Sequence, residues 1–335
     1  MNHQELATLL KPQTAIIDQA MRQDLTVVTN PLLQEVLTYA IFNGGKRIRP
    51  LLTVLTTRLC WQTHSPDKSE QLTADLYRLA LTFEYLHAAS LLHDDVIDQS
   101  DSRRGRSTAN RVWDNTHVIL AGDFLHARAM LLAGTIGGLD CLSIVSQATA
   151  AMVESEFIQL ENAAQLNASL DRYFEVLTGK TAALIAAAAC TGVIFARGSA
   201  KQQSAVHTFA TNLGLTFQII DDLLDYLGDP GETGKAVGND FQERKMTLPV
   251  IFALDQASPH DRNTLLELLN NSENATTARF KTARDIISRA GGFQKSREKA
   301  EDLIREAIGA LDLFASGPEL DLLIALSRYV LNRKQ

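Results

Sequence analysis

An all-α bundle is what the pattern of this 335-residue chain implies, on three observations. Apolar residues recur at i, i+3, i+4 and i+7, as in Leu72, Leu76, Leu79, Ala80 and Phe83, and again in Leu303, Ile304, Ala307, Ile308 and Leu311. Only 8 prolines and 19 glycines punctuate long stretches rich in Leu, Ala, Glu, Gln and Arg, which are good helix formers. No alternating strand segment and no Asn-Gly hairpin is recognisable. Helices should break at Asn43-Gly44-Gly45, Ser65-Pro66-Asp67, Gly137-Gly138, Gly228 to Gly238, Asn270 to Thr277, Gly291-Gly292 and Ser316-Gly317-Pro318. Each break reads as a short loop, so a single domain over 1–335 is expected rather than two joined by a linker.

Hydrophobic residues at 45% and charged residues at 21% mark an ordinary globular chain and exclude wholesale disorder. The net charge of −7 argues against a nucleic-acid surface. Cys60, Cys141 and Cys190 are odd in number, far apart and match no CxxC spacing, which points to reduced, buried thiols in a cytoplasmic protein. Met1 to Asp18 shows no basic region followed by an apolar run, so no secretory signal is expected. The most apolar stretch, Ala182 to Ala196, is interrupted by Thr191 and Gly192 and reads as an alanine-rich core helix, short of the roughly 18 unbroken apolar residues of a membrane span.

Leu91-Leu92-His93-Asp94-Asp95-Val96-Ile97-Asp98 closes a segment that is helical by pattern from Leu79. Residues four apart share a helix face, about 6 Å apart along the axis, so Asp94 and Asp98 aim at one point. Like charges that close repel, and a cation relieves them. Magnesium takes oxygen ligands and is held by one or two carboxylates plus substrate phosphates. Phe217-Gln218-Ile219-Ile220-Asp221-Asp222-Leu223-Leu224-Asp225 repeats the geometry, with Gln218 on the side of Asp221 and Asp225. Exposed helix N-termini also attract aspartates, but both clusters follow apolar runs, which is poor surface patterning. Gly44-Gly45-Lys46-Arg47-Ile48-Arg49-Pro50 sets three cations between a glycine turn and a proline, and Arg103-Arg104-Gly105-Arg106 follows the first Asp cluster. Arginine forks and lysine point charges suit phosphate. A solvated basic turn, or pairing of the second cluster with Asp98 and Asp101, is the plainer alternative. Gly179-Lys180-Thr181, Gly234-Lys235 and Lys245 set glycine beside lysine or add charge, but Asp229 stands at the first glycine position of GxxxxGK[ST] and Ala236 follows Lys235, so nucleotide binding is set aside. His87, seven residues before Asp94 and about 20° from it on a helical wheel, points toward the same site; His93 carries no such argument. The paired aspartates and separate basic groups together imply a metal-bridged diphosphate beside a second anion held by cations.

These blocks resemble the trans-type polyprenyl diphosphate synthases, and the resemblance runs from Gly44 to Arg333. It rests on Gly44 to Pro50, Asp94 to Asp98 with Arg103-Arg104-Gly105, Gly122-Asp123-Phe124-Leu125, Lys180-Thr181, Phe217 to Asp225, Gly234-Lys235 and Lys245-Met246-Thr247-Leu248-Pro249. The sequence is similar above all to the bacterial octaprenyl branch, which makes the side chain of ubiquinone. The resemblance implies an isoprenoid synthase-type helical bundle around a deep central cavity, usually a homodimer, with Mg2+ as cofactor. It further implies that Asp94, Asp98, Asp221 and Asp225 bind the metal, with Asp95 and Asp222 completing the motifs. Arg103, Lys180, Thr181, Gln218 and Lys235 would contact the allylic diphosphate, Lys46, Arg49, His87 and Arg104 would hold isopentenyl diphosphate, and Lys245 would add charge at the allylic site. The chain departs from the family pattern at Asp114 and Arg244, where glycine is usual, and at Ser107, where proline is frequent.

The expected reaction condenses an allylic diphosphate, with farnesyl diphosphate as the expected primer, with successive isopentenyl diphosphates to a long all-trans product of octaprenyl length. Neutralising charge on the departing diphosphate allows ionisation, the isopentenyl double bond attacks, and the released diphosphate is the expected base for the proton lost. Water must be kept from the cation. The loop Gly228 to Gly238 is a candidate lid, or else a plain surface loop. Ser90 lies one turn below Asp94 and within about 40° of it, whereas Ala89 is about 140° away, so only the resemblance puts Ala89 in the cavity. In that family bulky residues at these two positions stop elongation, so Ala89 and Ser90 imply a long product. Tyr85, Phe83 and Met130 are candidate floor residues or ordinary core. Three rivals are a short-chain synthase, an all-α terpene cyclase and a non-catalytic subunit. Ala89 and Ser90 count against the first, the basic residues Lys46, Arg49 and Arg104 against the second, and the two intact Asp motifs against the third. A non-spanning protein that hands its product to the membrane is the expected setting.

Overall fold

The computed structural model describes residues 3–62, 69–103, 105–228, 238–270 and 277–333. Helices account for nearly all of them, as the periodicity requires. In chain order they are α1 (His3–Asp24), α2 (Pro31–Phe42), α3 (Ile48–Trp61), α4 (Glu70–Ile97), α5 (Ala109–Val112), α6 (Asn115–Gln165), α7 (Leu170–Leu177), α8 (Ala183–Phe195) and α9 (Ala200–Leu227). They continue with α10 (Asn239–Gln242), α11 (Leu248–Gln256), α12 (Pro259–Asn270), α13 (Thr277–Arg289), α14 (Gly292–Ala310) and α15 (Pro318–Asn332). Side chains of Asn30 and Ser69 accept the backbone N–H of Leu33 and Leu72 and cap α2 and α4.

The break at Asn43-Gly44-Gly45 is realised. Gly44 and Gly45 take φ of 87° and 135°, a region that side chains avoid, and the chain then enters α3 through Arg47 at φ 50°. Gly138 interrupts α6 at φ 74°. Gly291 and the segment before Pro318 also separate helices as expected. Ser65-Pro66-Asp67, most of the Gly228 to Gly238 loop and residues 271–276 lie outside the described residues. Two further breaks were not expected: Leu166 turns the chain with φ of 48° and no glycine or proline beside it, and Arg197 turns it with φ of 56° just before Gly198. One more departure is a two-residue ladder, Ser102–Arg103 paired antiparallel with Arg106–Ser107, too short to leave an alternating pattern in sequence.

The described residues group into two compact units, each drawn from separate stretches of chain. One comprises Met1–Thr149, Leu184–His207 and Leu311–Leu326, the other Ala150–Ala183, Thr208–Ala310 and Ser327–Gln335. In the first, α3 packs along α4. The alanine-rich α8 is buried, as expected, and small side chains bring its backbone within reach of three hydroxyls of α3. Thr53, Thr56 and Thr57 donate to the carbonyls of Ala188, Ala189 and Gly192 at 2.9, 2.8 and 3.0 Å. Two buried charge clusters fix this unit further. Arg47 binds Glu84, Asp18 and the Ile41 carbonyl. Asp24 accepts from both Arg128 and Tyr85. Phe83 and Tyr85 are fully buried here, and Met130 is half-buried with its sulfur 3.7 Å from the Ser146 hydroxyl. In the second unit α11 packs on α14, and Tyr226, Phe241, Phe280 and Phe293 form an aromatic cluster with ring centroids 5.9 Å apart. Thr178–Ala182, between α7 and α8, is one π-type turn.

Candidate active site

Helix α4 is buried through its middle, and towards its C-terminal end His87, Ser90, Leu91 and Asp94 are half-buried at helical spacing, continuing to the exposed Asp98, with His93 and Val96 also half-buried beside them. The face predicted from the spacing of Asp94 and Asp98 is therefore the open face of the helix. Asp98 caps α4, its N–H donating to the Asp94 carbonyl at 2.8 Å. Ala89 is buried off this stripe, as the wheel requires, and the Ser90 hydroxyl donates to the His87 carbonyl.

Asp95, the middle aspartate, points inward. It is 5% exposed, and one carboxylate oxygen accepts from both Nε and Nη2 of Arg103, at 3.0 and 2.8 Å. Its carbonyl accepts from Asn110. Asp95 is thus the anchor of the motif, and Arg103 pairs with it rather than with Asp98 or Asp101. Arg111 takes Asp101 instead. The three cations of Gly44 to Pro50 also divide. Arg47 is held in its buried ion pairs, whose carboxylates more than offset the cost of burial and keep its charge. Lys46 is exposed. Arg49 has a buried Nε with no hydrogen-bond partner, and burial, opposed only by Glu84, lowers its pKa. Arg104 lies outside the described residues.

The second Asp motif, on α9, shows the same division. Phe217, Gln218, Asp221, Leu224 and Asp225 are the half-buried positions, again a helical stripe. Asp222 is 4% exposed, with its oxygens taken by the Tyr173 hydroxyl at 2.7 Å and the Gln218 amide at 3.1 Å. Burial and the nearby Asp240 push its pKa well above the carboxylate range. Gln218 in turn accepts from Thr181 at 3.1 Å. Asp221 is gripped by Arg333 at 2.7 Å; that guanidinium also donates to the Phe217 carbonyl and lies 4.0 Å over the Phe217 ring. Asp225 accepts the N–H groups of Asn239 and Asp240, capping α10, and burial with the Asp240 charge raises its pKa to about 6.

Lys180 sits in the π-type turn, a rare irregularity that concentrates at functional sites. It pairs with Glu156 at 2.7 Å and donates to Gln159 at 3.2 Å. Lys245 reaches Asp240 and Glu243 at 3.2 and 2.6 Å; burial works against its charge, but the two carboxylates prevail and raise its pKa. The departures from the family pattern find local reasons. Arg244 adopts φ 59°, the conformation for which glycine is the usual residue, and Asp114 caps α6 by accepting the His117 N–H. Lys235 lies outside the described residues.

Glu156, Gln159, Tyr173, Asp240 and Arg333 were not among the sequence candidates. Only Asp240, five residues before Lys245, left a readable signal. Among the described residues no group of three or more His, Cys, Asp or Glu is arranged to hold a metal alone. The open carboxylates offer oxygen donors in pairs, a set that suits a hard cation completing its shell with phosphate oxygens and water.

The polyprenyl synthetase family matches residues 30–287. The chain is 31% identical over 334 residues to the octaprenyl diphosphate synthase of Escherichia coli (strain K12), with 99% of each covered. A decaprenyl diphosphate synthase from Rhodobacter capsulatus superposes with a TM-score of 0.89 at 35% identity, covering 100% of both chains. A polyprenyl synthase from Caulobacter crescentus CB15, complexed with calcium and isoprenyl diphosphate, superposes at 0.88 with 32% identity, covering 98% of this chain and 97% of that one. With the family match spanning both Asp motifs and full-length relatives on either measure, the chain belongs to the polyprenyl synthetase family.

Proposed function

We propose that this prenyltransferase extends an allylic diphosphate, with farnesyl diphosphate as primer, by successive isopentenyl diphosphates to an all-trans polyprenyl diphosphate of octaprenyl class for a quinone side chain. The observation that carries the reading is the repeated architecture of the Asp motifs: an open carboxylate pair on one helical stripe, backed by a buried middle aspartate. The likeness to octaprenyl and decaprenyl synthases supports the long product.

Asp94, Asp98, Asp221 and Asp225 are the residues that would hold Mg2+, whose charge would favour departure of the allylic diphosphate. Lys180, Thr181, Gln218, Arg103, Lys235 and Lys245 bind that diphosphate, and Lys180 exchanges Glu156 for a phosphate oxygen. Lys46, Arg49, His87 and Arg104 hold isopentenyl diphosphate, where a phosphate oxygen supplies the partner that Arg49 Nε lacks. The hydrocarbon chain grows along the small residues Ala89 and Ser90, and the proton lost at each condensation leaves with the released diphosphate. The direct test is to incubate the purified chain with Mg2+, farnesyl diphosphate and isopentenyl diphosphate and to size the products. A C40 product is expected. Failure to consume isopentenyl diphosphate sinks the reading and favours a cyclase.

Ala89→Phe should shift the products several isoprene units shorter while leaving the first condensation active, as read by chromatography of dephosphorylated products. The raised pKa of Asp225 makes a second expectation. Below about pH 6 its carboxyl keeps a proton that a cation must displace, so the Mg2+ concentration for half-maximal rate should climb about tenfold per pH unit below 6 and level off above it. A homodimer is the accompanying proposal. Helix α6 exposes Ile119, Leu120, Leu131 and Leu139 in one unit and Val153, Phe157 and Leu160 in the other, apolar surface that a second copy would cover. Sedimentation at micromolar concentration should give twice the chain mass. A cytoplasmic setting fits the thiols Cys60, Cys141 and Cys190, all buried and outside any disulfide, with pKa values raised by burial to about 12, 11 and 12.

A further inference from the structure

His93 stands inside the first Asp motif, and Gly122-Asp123 in another of the matched blocks, yet the reaction as described uses neither. In the folded chain they meet. His93 Nε2 lies 3.1 Å from the Ile119 carbonyl and 3.5 Å from a carboxylate oxygen of Asp123. A carbonyl can only accept, so Nε2 carries a proton and donates it. Gly122 leaves the space the ring occupies: a Cβ there would stand 2.3 Å from Nε2 and 2.7 Å from Cδ2.

The place of this contact matters because of what the end of α4 carries. Asp94, Asp95 and Asp98 crowd its last turns, at the helix end where the dipole is negative and carboxylates are disfavoured. A C-terminal turn also leaves carbonyls without intrahelical partners and tends to fray. Arg103 and Asn110 restrain Asp95 from the segment that follows the helix. His93 is the tie on the side of α6.

We propose that His93 is a positioning residue for the first Asp motif: its Nε2–H, seated over Gly122 and bonded to the Ile119 carbonyl, holds the last turn of α4 against α6 so that Asp94 and Asp98 keep a fixed spacing. This rests on the reading that those two carboxylates hold the divalent cation.

The test uses the full-length chain and hydrogen–deuterium exchange of a peptide spanning residues 94–100, beside Mg2+ activation curves. In His93→Ala the amides of Asp98 and Ser100, which bond to the Asp94 and Asp95 carbonyls, should exchange about five- to tenfold faster. The half-activating Mg2+ concentration should rise by a similar factor, with the KM for isopentenyl diphosphate unchanged. His93→Gln, which keeps an N–H donor at about the same reach, should restore both. Gly122→Ala should reproduce the His93→Ala effect by displacing the ring, and should add nothing in the His93→Ala background, where no ring remains to displace. Unchanged exchange in His93→Ala, no rescue by glutamine, or full additivity with Gly122→Ala overturns the proposal. Asp94→Asn separates this outcome from failure of the metal reading: if that variant keeps the wild-type Mg2+ dependence, the metal assignment falls, whatever the exchange rates show.

Discussion

Replacing Asp94 by asparagine should lower kcat by about 10²–10³-fold while leaving the melting temperature near that of the parent enzyme. Asparagine keeps the size of the side chain and one oxygen but removes the charge that a divalent cation needs. Asp94 lies on the open stripe of α4, so its loss should cost chemistry rather than packing. Asp95→Asn should behave differently. That carboxylate is 5% exposed and accepts two guanidinium bonds from Arg103, so neutralising it weakens a charge-assisted pair worth about 1.5–3 kcal/mol and lowers stability together with activity. On α9 the contrast should be weaker, because Asp221 itself neutralises the nearly buried Arg333 and burial pushes the pKa of Asp222 well above the carboxylate range, so Asp221→Asn should cost stability as well as activity. Single-turnover rates and thermal melts, measured on all four variants, separate the two roles. A rapid Asp94→Asn enzyme with ordinary metal dependence would sink the assignment of that residue.

Arg47→Ala should destabilise the protein by about 3–5 kcal/mol, because it strips the buried Glu84 of the cation hydrogen-bonded to it and leaves only the charge of Arg49 nearby. The guanidinium is 5% exposed and the Glu84 side chain 9%, with 2.6 Å between them, and Arg47 also holds Asp18 and the Ile41 carbonyl. A fall in melting temperature of roughly 4–7 °C is expected for a chain of this length. Arg49→Ala, two positions along, should do the reverse. Its Nε has no hydrogen-bond partner and its charge is poorly compensated, so removing it should leave stability unchanged or slightly raised. Its cost should appear as a rise of at least about tenfold in the KM for isopentenyl diphosphate, since a charge-assisted bond to phosphate is lost. Calorimetry and steady-state kinetics on the two variants check the division. Equal melting temperatures would overturn it.

Local pattern accounts for what sequence reasoning captured. The all-α class, the buried α8, the glycine breaks near residues 44, 138 and 291 and the open faces bearing the Asp pairs all follow from 3.6-residue periodicity and backbone freedom, which short windows of sequence express. Contacts between distant segments were not legible. Nothing near Asp222 announces Tyr173, 49 residues away, and nothing near Asp221 announces Arg333, 112 residues away. Arg47 and Arg49 stand two positions apart in one basic block, and what separates them is that Arg47 alone is hydrogen-bonded to Glu84, Asp18 and the Ile41 carbonyl while Arg49 Nε has no partner. The middle aspartates could be read only as completing the motifs, because motif spacing records neighbourhood, not which side of the helix is covered. The turn at Leu166 was not legible because leucine is not a usual bearer of positive φ, whereas the one at Arg197 had a signal in the adjoining Gly198-Ser199.

The interleaving of the two compact units bears on how the chain is made. The unit that begins at the N-terminus is completed by Leu311–Leu326, and the other by the segment from Ser327 onward. During synthesis the first unit has nearly 150 residues available early yet lacks a helix translated close to the end, and domains fold as units only when their parts are present. Neither half can therefore reach its final packing on the ribosome before most of the chain has emerged. Removal of the segment from Leu311 onward should therefore disturb both units at once, since each draws its last stretch from it.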